Sequence, residues 1–242
     1  MKRAFPILAV LTTGFVLYGF YLGLFVAPTE RTMGDVQRIF YFHAPSGWTA
    51  FCLFFVNLIA SVAYLVRRNL KADALAVASA EVGVVFCTVV LVTGPLWARP
   101  VWGIWWTWDL RLTSTLVLWL IYVSYLMLRR LTNNAQTPVL AAVLAIFGAL
   151  DVPLVYFSIW FFRTQHPQPV IGGGGSLDPR MLHVFLINVC AFSCLGALIC
   201  WARYRVELMH REVEEAHALE SLLDVVPKSE GEAKAAHRGS LQ

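Results

Sequence analysis

Long apolar runs and short polar connections alternate along this chain six times. The runs cover residues 6–26, 48–66, 74–96, 112–128, 138–157 and 181–201. A hydrocarbon core of about 30 Å takes about 20 helical residues to cross. Each run has that length or nearly so. The fourth is short unless Leu110 and the segment before it extend it. The first run follows Lys2 and Arg3 and has the outline of a signal peptide. Its apolar part is too long, and Phe25-Val26-Ala27 makes a poor cleavage site, so it is read as a helix. The pattern predicts an all-α polytopic membrane protein, a bundle of six transmembrane helices.

The polar connections give the orientation. With six spans, the N-terminus, the second and fourth loops and the C-terminal tail share one side. They hold Arg67, Arg68, Lys71, Arg129, Arg130, Arg203 and Arg205 close to the spans. The other side holds Arg31, Arg38, Arg99, Arg111, Arg163 and Arg180 in longer loops. Basic residues concentrate on the cytoplasmic side of membrane proteins. Both termini are therefore expected inside, with loops one, three and five facing out. Residues 1–202 form the expected membrane domain, and residues 203–242 a cytoplasmic tail. The tail reads as a polar, partly amphipathic helix up to about Val226, then as disorder after Pro227.

Composition agrees with this picture. The 242 residues are 58% hydrophobic and 14% charged, which is not the balance of a soluble domain. The five Cys lie in apolar runs without metal-binding spacing and read as small buried side chains. The run of four glycines at 172–175 follows no strand, so it reads as a flexible linker and not a phosphate cradle.

The third loop carries the strongest chemical signal. Residues 97–114 read WARPVWGIWWTWDLRLTS, with five of the nine Trp (Trp97, Trp102, Trp105, Trp106, Trp108) beside Asp109. Indoles commonly sit at the membrane interface, but five around one acid exceed what anchoring needs. Trp102, Trp105 and Trp106 follow i, i+3, i+4 spacing, with Asp109 continuing that face. A short Trp-rich interfacial helix between helices three and four is therefore expected. It either rests its indoles in lipid or aims them at a large planar ligand such as haem. Asp109 also stands where it can cap helix four.

Three of the six His fall on the outward side: His43 just before helix two, His166 in loop five, and His183 at the start of helix six. His210, His217 and His237 lie in the tail. Neutral imidazole is a common axial ligand of haem iron. Two such residues from different loops can clamp one metal, or each can be a solvated surface side chain. Guanidinium groups suit the haem carboxylates, and Arg38, Arg99, Arg111 and Arg163 are placed for it. Glu81 and Asp151 lie inside spans, where a carboxylate is costly. They are either paired within the bundle or belong to an ion-coupled transporter, which needs a midplane site and no outer His. A cytochrome b type protein would place paired His inside helices, whereas all six here lie outside or at span ends.

The segment WGIWWTWDLRLTS resembles the Trp-rich motif of the membrane haem-handling proteins of cytochrome c maturation. Within that group the chain looks like the CcmC family, the haem exporter protein C family. Supporting stretches are RIFYFHAPSGW (38–48), LVTGPLWARPVWG (91–103), DVPLVYFSI (151–159) and SLDPRM (176–181). Six spans favour this family over larger relatives that act as haem lyases, joining haem directly to apocytochrome. The resemblance implies a bacterial inner-membrane protein that holds haem b at its periplasmic face. It implies delivery to a CcmE-type haem chaperone, with a small CcmD-type protein and a CcmA/CcmB transporter pair as partners.

By resemblance the iron ligands match His43 and His166, with His183 as the alternative to His166. Around His166, Phe162-Arg163 and Pro167 stand where the family pattern has Trp-Asn and Gln. The expected haem contacts are Trp102, Trp105, Trp106, Trp108, Asp109, Arg38 and Arg111. No bond-making by side-chain acid or base is expected, only positioning of haem with a vinyl edge left open.

Overall fold

The computed structural model describes residues 4–132, 134–162, 164–168 and 177–239. Arg163 and the glycine run at 172–175 fall outside the described residues. Among the described residues, six helices are long and apolar enough to cross a membrane. They are α1 (Ala4–Tyr21, prolonged by a π-turn at Leu22–Val26), α2 (Phe40–Arg67), α3 (Leu70–Trp102), α4 (Leu110–Leu131), α5 (Thr137–Phe161) and α6 (Pro179–Gly239). A 3-10 turn, Asp35–Ile39, leads into α2. The described residues are helical and irregular, with no strand among them, so the all-α reading holds.

The chain divides into two units, Met1–Tyr204 and Arg205–Gln242. In the second, the helix reaches Gly239, past the Pro227 after which the composition suggests disorder. Ala233, Lys234, Ala235 and Ala236 are strong helix formers, which favours that continuation.

In the first unit each helix buries one stripe and leaves apolar side chains outside. Val10, Leu17, Phe147 and Leu150 are all exposed, as lipid-facing residues should be. Inside, α2 lies close against α3 because Gly83 has no side chain. A Cβ there would sit 2.6 Å from Cε1 of Phe54. Phe54 in turn stacks on Tyr122 of α4, with centroids 3.9 Å apart. At one end of the bundle Asp73, fully buried on α3, takes two hydrogen bonds from Arg129 of α4. Glu81 is likewise held by the Arg203 guanidinium of α6, at 2.6 and 3.0 Å. This acid is paired within the bundle.

Two helices run further than the apolar pattern indicates. α2 begins at Phe40, so His43 lies on the helix and not before it. Pro45 lies close enough to the N-terminus that only the bond to the Tyr41 carbonyl is lost. α3 continues through Pro95 and Pro100 to Trp102, where Gly103 ends it at φ 77°, a conformation that glycine adopts freely.

Candidate functional site

A mostly apolar cavity of about 460 Å³ opens at the end of the bundle opposite Asp73 and Arg129. The start of α2, the end of α3, the start of α4, the end of α5 and the loop after α5 all contribute to its wall. Its volume lies in the range typical of ligand pockets.

His43 and His166 both line it, with ring centroids 6.4 Å apart and planes inclined by 32°. Two imidazole nitrogens about 2 Å from one metal put their ring centroids roughly 6 Å apart. The observed spacing fits one iron between them. His183 is exposed and does not line the cavity.

The hydrogen bonds fix the tautomer of each ring. Nδ1 of His43 lies 2.9 Å from Thr93 Oγ1. That hydroxyl donates its proton to the Val89 carbonyl at 2.6 Å, so it must accept from the imidazole. Nδ1 of His166 lies 2.9 Å from the Pro167 carbonyl, which can only accept. With Nδ1 as the donor in these two bonds, the Nε2 lone pair of each ring is free, the state a metal ligand requires. His166 stays neutral well below physiological pH. Its pKa is pushed down to about 3, first by desolvation and then by the Arg111 charge.

The Trp segment is not the separate interfacial helix that its spacing suggests. Trp97 and Trp102 ride the last turns of α3, and residues 103–109 are irregular up to the start of α4. The left-handed turn at Gly103 breaks the i, i+3, i+4 face and divides the indoles. Trp97, Trp102 and Trp106 line the cavity. Trp105 and Trp108 do not; they are 57% and 76% exposed. Trp106 Nε1 is buried without a hydrogen-bond partner among the described residues.

Asp109 caps α4 by accepting the Leu112 N–H at 2.9 Å. Its other oxygen accepts from the Thr107 and Thr164 hydroxyls, at 3.0 and 2.9 Å. Thr164 Oγ1 then accepts the His166 N–H at 3.1 Å. The acid thus ties the Trp segment to the second histidine.

The arginines separate clearly. Arg111 lines the cavity, and its Nη1 is buried with no hydrogen-bond partner among the described residues. Arg38 sits elsewhere. Its guanidinium holds the Gly23 and Ala27 carbonyls, Thr29 and Asp35, tying the π-turn to loop one. Arg99 donates to the Gly103 carbonyl and closes the end of α3. Asp151 is half-buried on α5, one turn before Val155, which lines the cavity. Sequence reasoning passed over Thr93, Thr164 and the Pro167 carbonyl. Thr93 stands in the LVTGPLWARP stretch, so its place beside the Trp motif was the available signal.

These features define a polytopic all-α membrane protein with a Trp-walled, two-histidine pocket at one end. A family model described as Heme exporter protein C matches residues 1–219. The chain belongs to that family. Heme exporter protein C of Bradyrhizobium diazoefficiens is 35% identical over 90% of this chain and 84% of its own length. That of Escherichia coli K12 is 32% identical over 83% and 82%. A putative cytochrome c biosynthesis ccmC-like mitochondrial protein of Marchantia polymorpha is 32% identical over 73% and 76%.

Proposed function

We propose that this protein handles haem for cytochrome c maturation, holding haem b as cargo between His43 and His166 and handing it to a CcmE-type chaperone. The observation that carries this reading is the pair of imidazoles 6.4 Å apart, each with Nδ1 bonded to a protein oxygen, across an apolar cavity. Bound haem would supply an iron that accepts both lone pairs. The remaining chemistry belongs to the chain. Trp97, Trp102 and Trp106 offer flat apolar surface and exclude water. The orphaned Arg111 Nη1 is suited to a haem carboxylate. The two exposed indoles, Trp105 and Trp108, are available to a partner.

The orientation follows from charge. Arg67, Arg68, Lys71, Arg129 and Arg130 sit at the helix ends away from the cavity. This supports a cytoplasmic location for those ends and the termini, and a periplasmic location for the haem site in a bacterial inner membrane. A CcmD-type protein and a CcmA/CcmB pair complete the proposed assembly. The protein positions and releases haem and makes no covalent bond to it.

The test is the absorbance spectrum of the purified protein beside three variants. A haem band in wild type and His183→Ala, weakened or changed in His43→Ala and His166→Ala, is expected. Unchanged bands in His43→Ala and His166→Ala would reject the clamp.

A further inference from the structure

We infer that Thr93 is a positioning residue for the first iron ligand: it fixes the tautomer and ring orientation of His43 and so sets the strength of that axial bond. The inference rests on the haem clamp proposed above and adds a residue to it.

The two histidines are held in different ways. The Nδ1 partner of His166 is the carbonyl of the next residue, in the same loop. The partner of His43 lies 50 residues away, on another helix. A helical threonine can hydrogen-bond the carbonyl four residues back, and Thr93 does so with Val89 at 2.6 Å. The hydroxyl proton is committed to the backbone. What faces His43 is therefore an oxygen lone pair, a fixed acceptor on a rigid element. It accepts the Nδ1 proton, which leaves Nε2 as the only possible ligand atom of that ring.

Hydrogen bonding from the far nitrogen raises the basicity of a ligating imidazole, and losing such a partner commonly weakens metal binding 10–100-fold. A more basic axial ligand favours ferric over ferrous iron, so the same contact lowers the reduction potential. Valine at this position keeps the shape but offers the ring only a methyl group.

The experiment uses the full chain purified with haem: wild type, Thr93→Val and Thr93→Ser. Apomyoglobin serves as acceptor to measure haem loss, and a redox titration followed at the Soret band gives the potential. Thr93→Val is expected to lose haem about 10–100-fold faster and to titrate at a higher potential. Thr93→Ser, which keeps the hydroxyl, restores both toward wild type. If Thr93→Val does not fold in detergent, Thr93→Ala carries the same expectations.

Wild-type potential and retention in the valine or alanine variant would overturn the inference. So would an equal defect in Thr93→Ser, which would reduce Thr93 to packing. In either case a two-histidine spectrum in the wild type would leave the clamp intact. If the wild type holds haem without His43, the clamp and the role of Thr93 fall together.

Discussion

Asp109 and Thr164 are 55 residues apart in sequence, and a 2.9 Å hydrogen bond joins them. Through Thr164 the acid reaches the backbone of His166. Through Leu112 it caps α4. One carboxylate therefore serves helix stability and ligand placement, and substitutions separate the two. Thr164→Val removes the tie alone. It is expected to shift bound haem toward a five-coordinate spectrum without lowering the melting temperature. Asp109→Ala adds loss of the cap, at about 1 kcal/mol. Equal melting temperatures for the two variants would mean that the cap contributes nothing.

Arg111 makes a prediction about the cargo. A charge-assisted hydrogen bond contributes about 1.5–3 kcal/mol, so Arg111→Gln should bind haem about 10–100-fold more weakly. Haem dimethyl ester, which lacks the carboxylates, should bind wild type and variant alike. Equal losses for haem and its diester would show that Arg111 shapes the cavity and does not grip a carboxylate.

The division of the indoles predicts two phenotypes. Trp102→Ala with Trp106→Ala should lower haem occupancy, because both rings line the cavity. Trp105→Ala with Trp108→Ala should leave the haem band near wild type and impair transfer to the proposed chaperone, since those rings are exposed. Haem loss in the second pair comparable to the first would erase the distinction.

At the other end of the bundle, Arg129 and Asp73 form a pair whose side chains are 13% and 2% exposed. Removing one partner of a buried pair leaves an uncompensated charge and costs about 3–5 kcal/mol. Asp73→Ala should therefore lower the melting temperature markedly. The spectrum of haem bound to the protein that remains folded should not change, because the pair stands away from the cavity. A changed spectrum would point to coupling between the two ends.

The six helices were legible because the bilayer imposes one length on each and forbids alternatives. Glu81 was legible as a costly acid, and Arg203 supplies the pairing that such an acid needs. The Trp segment was misread because periodicity assumes a continuous helix, and Gly103 at φ 77° interrupts it. Arg38 and Arg111 both sit at outward span ends in the sequence. Only folding shows the first tied to backbone carbonyls and the second facing the cavity. Thr93 offered only its position beside the Trp motif, since a hydroxyl bonded to its own helix is an ordinary feature of apolar helices.

The central claim is that one iron sits between two imidazoles, and electron paramagnetic resonance of the ferric protein tests it most directly. Wild type should give a low-spin signal with two nitrogen axial ligands. His166→Ala should convert any retained haem to a high-spin or exogenously ligated form, and His183→Ala should leave the signal unchanged. A wild-type low-spin signal that persists in His166→Ala and disappears in His183→Ala would contradict the account.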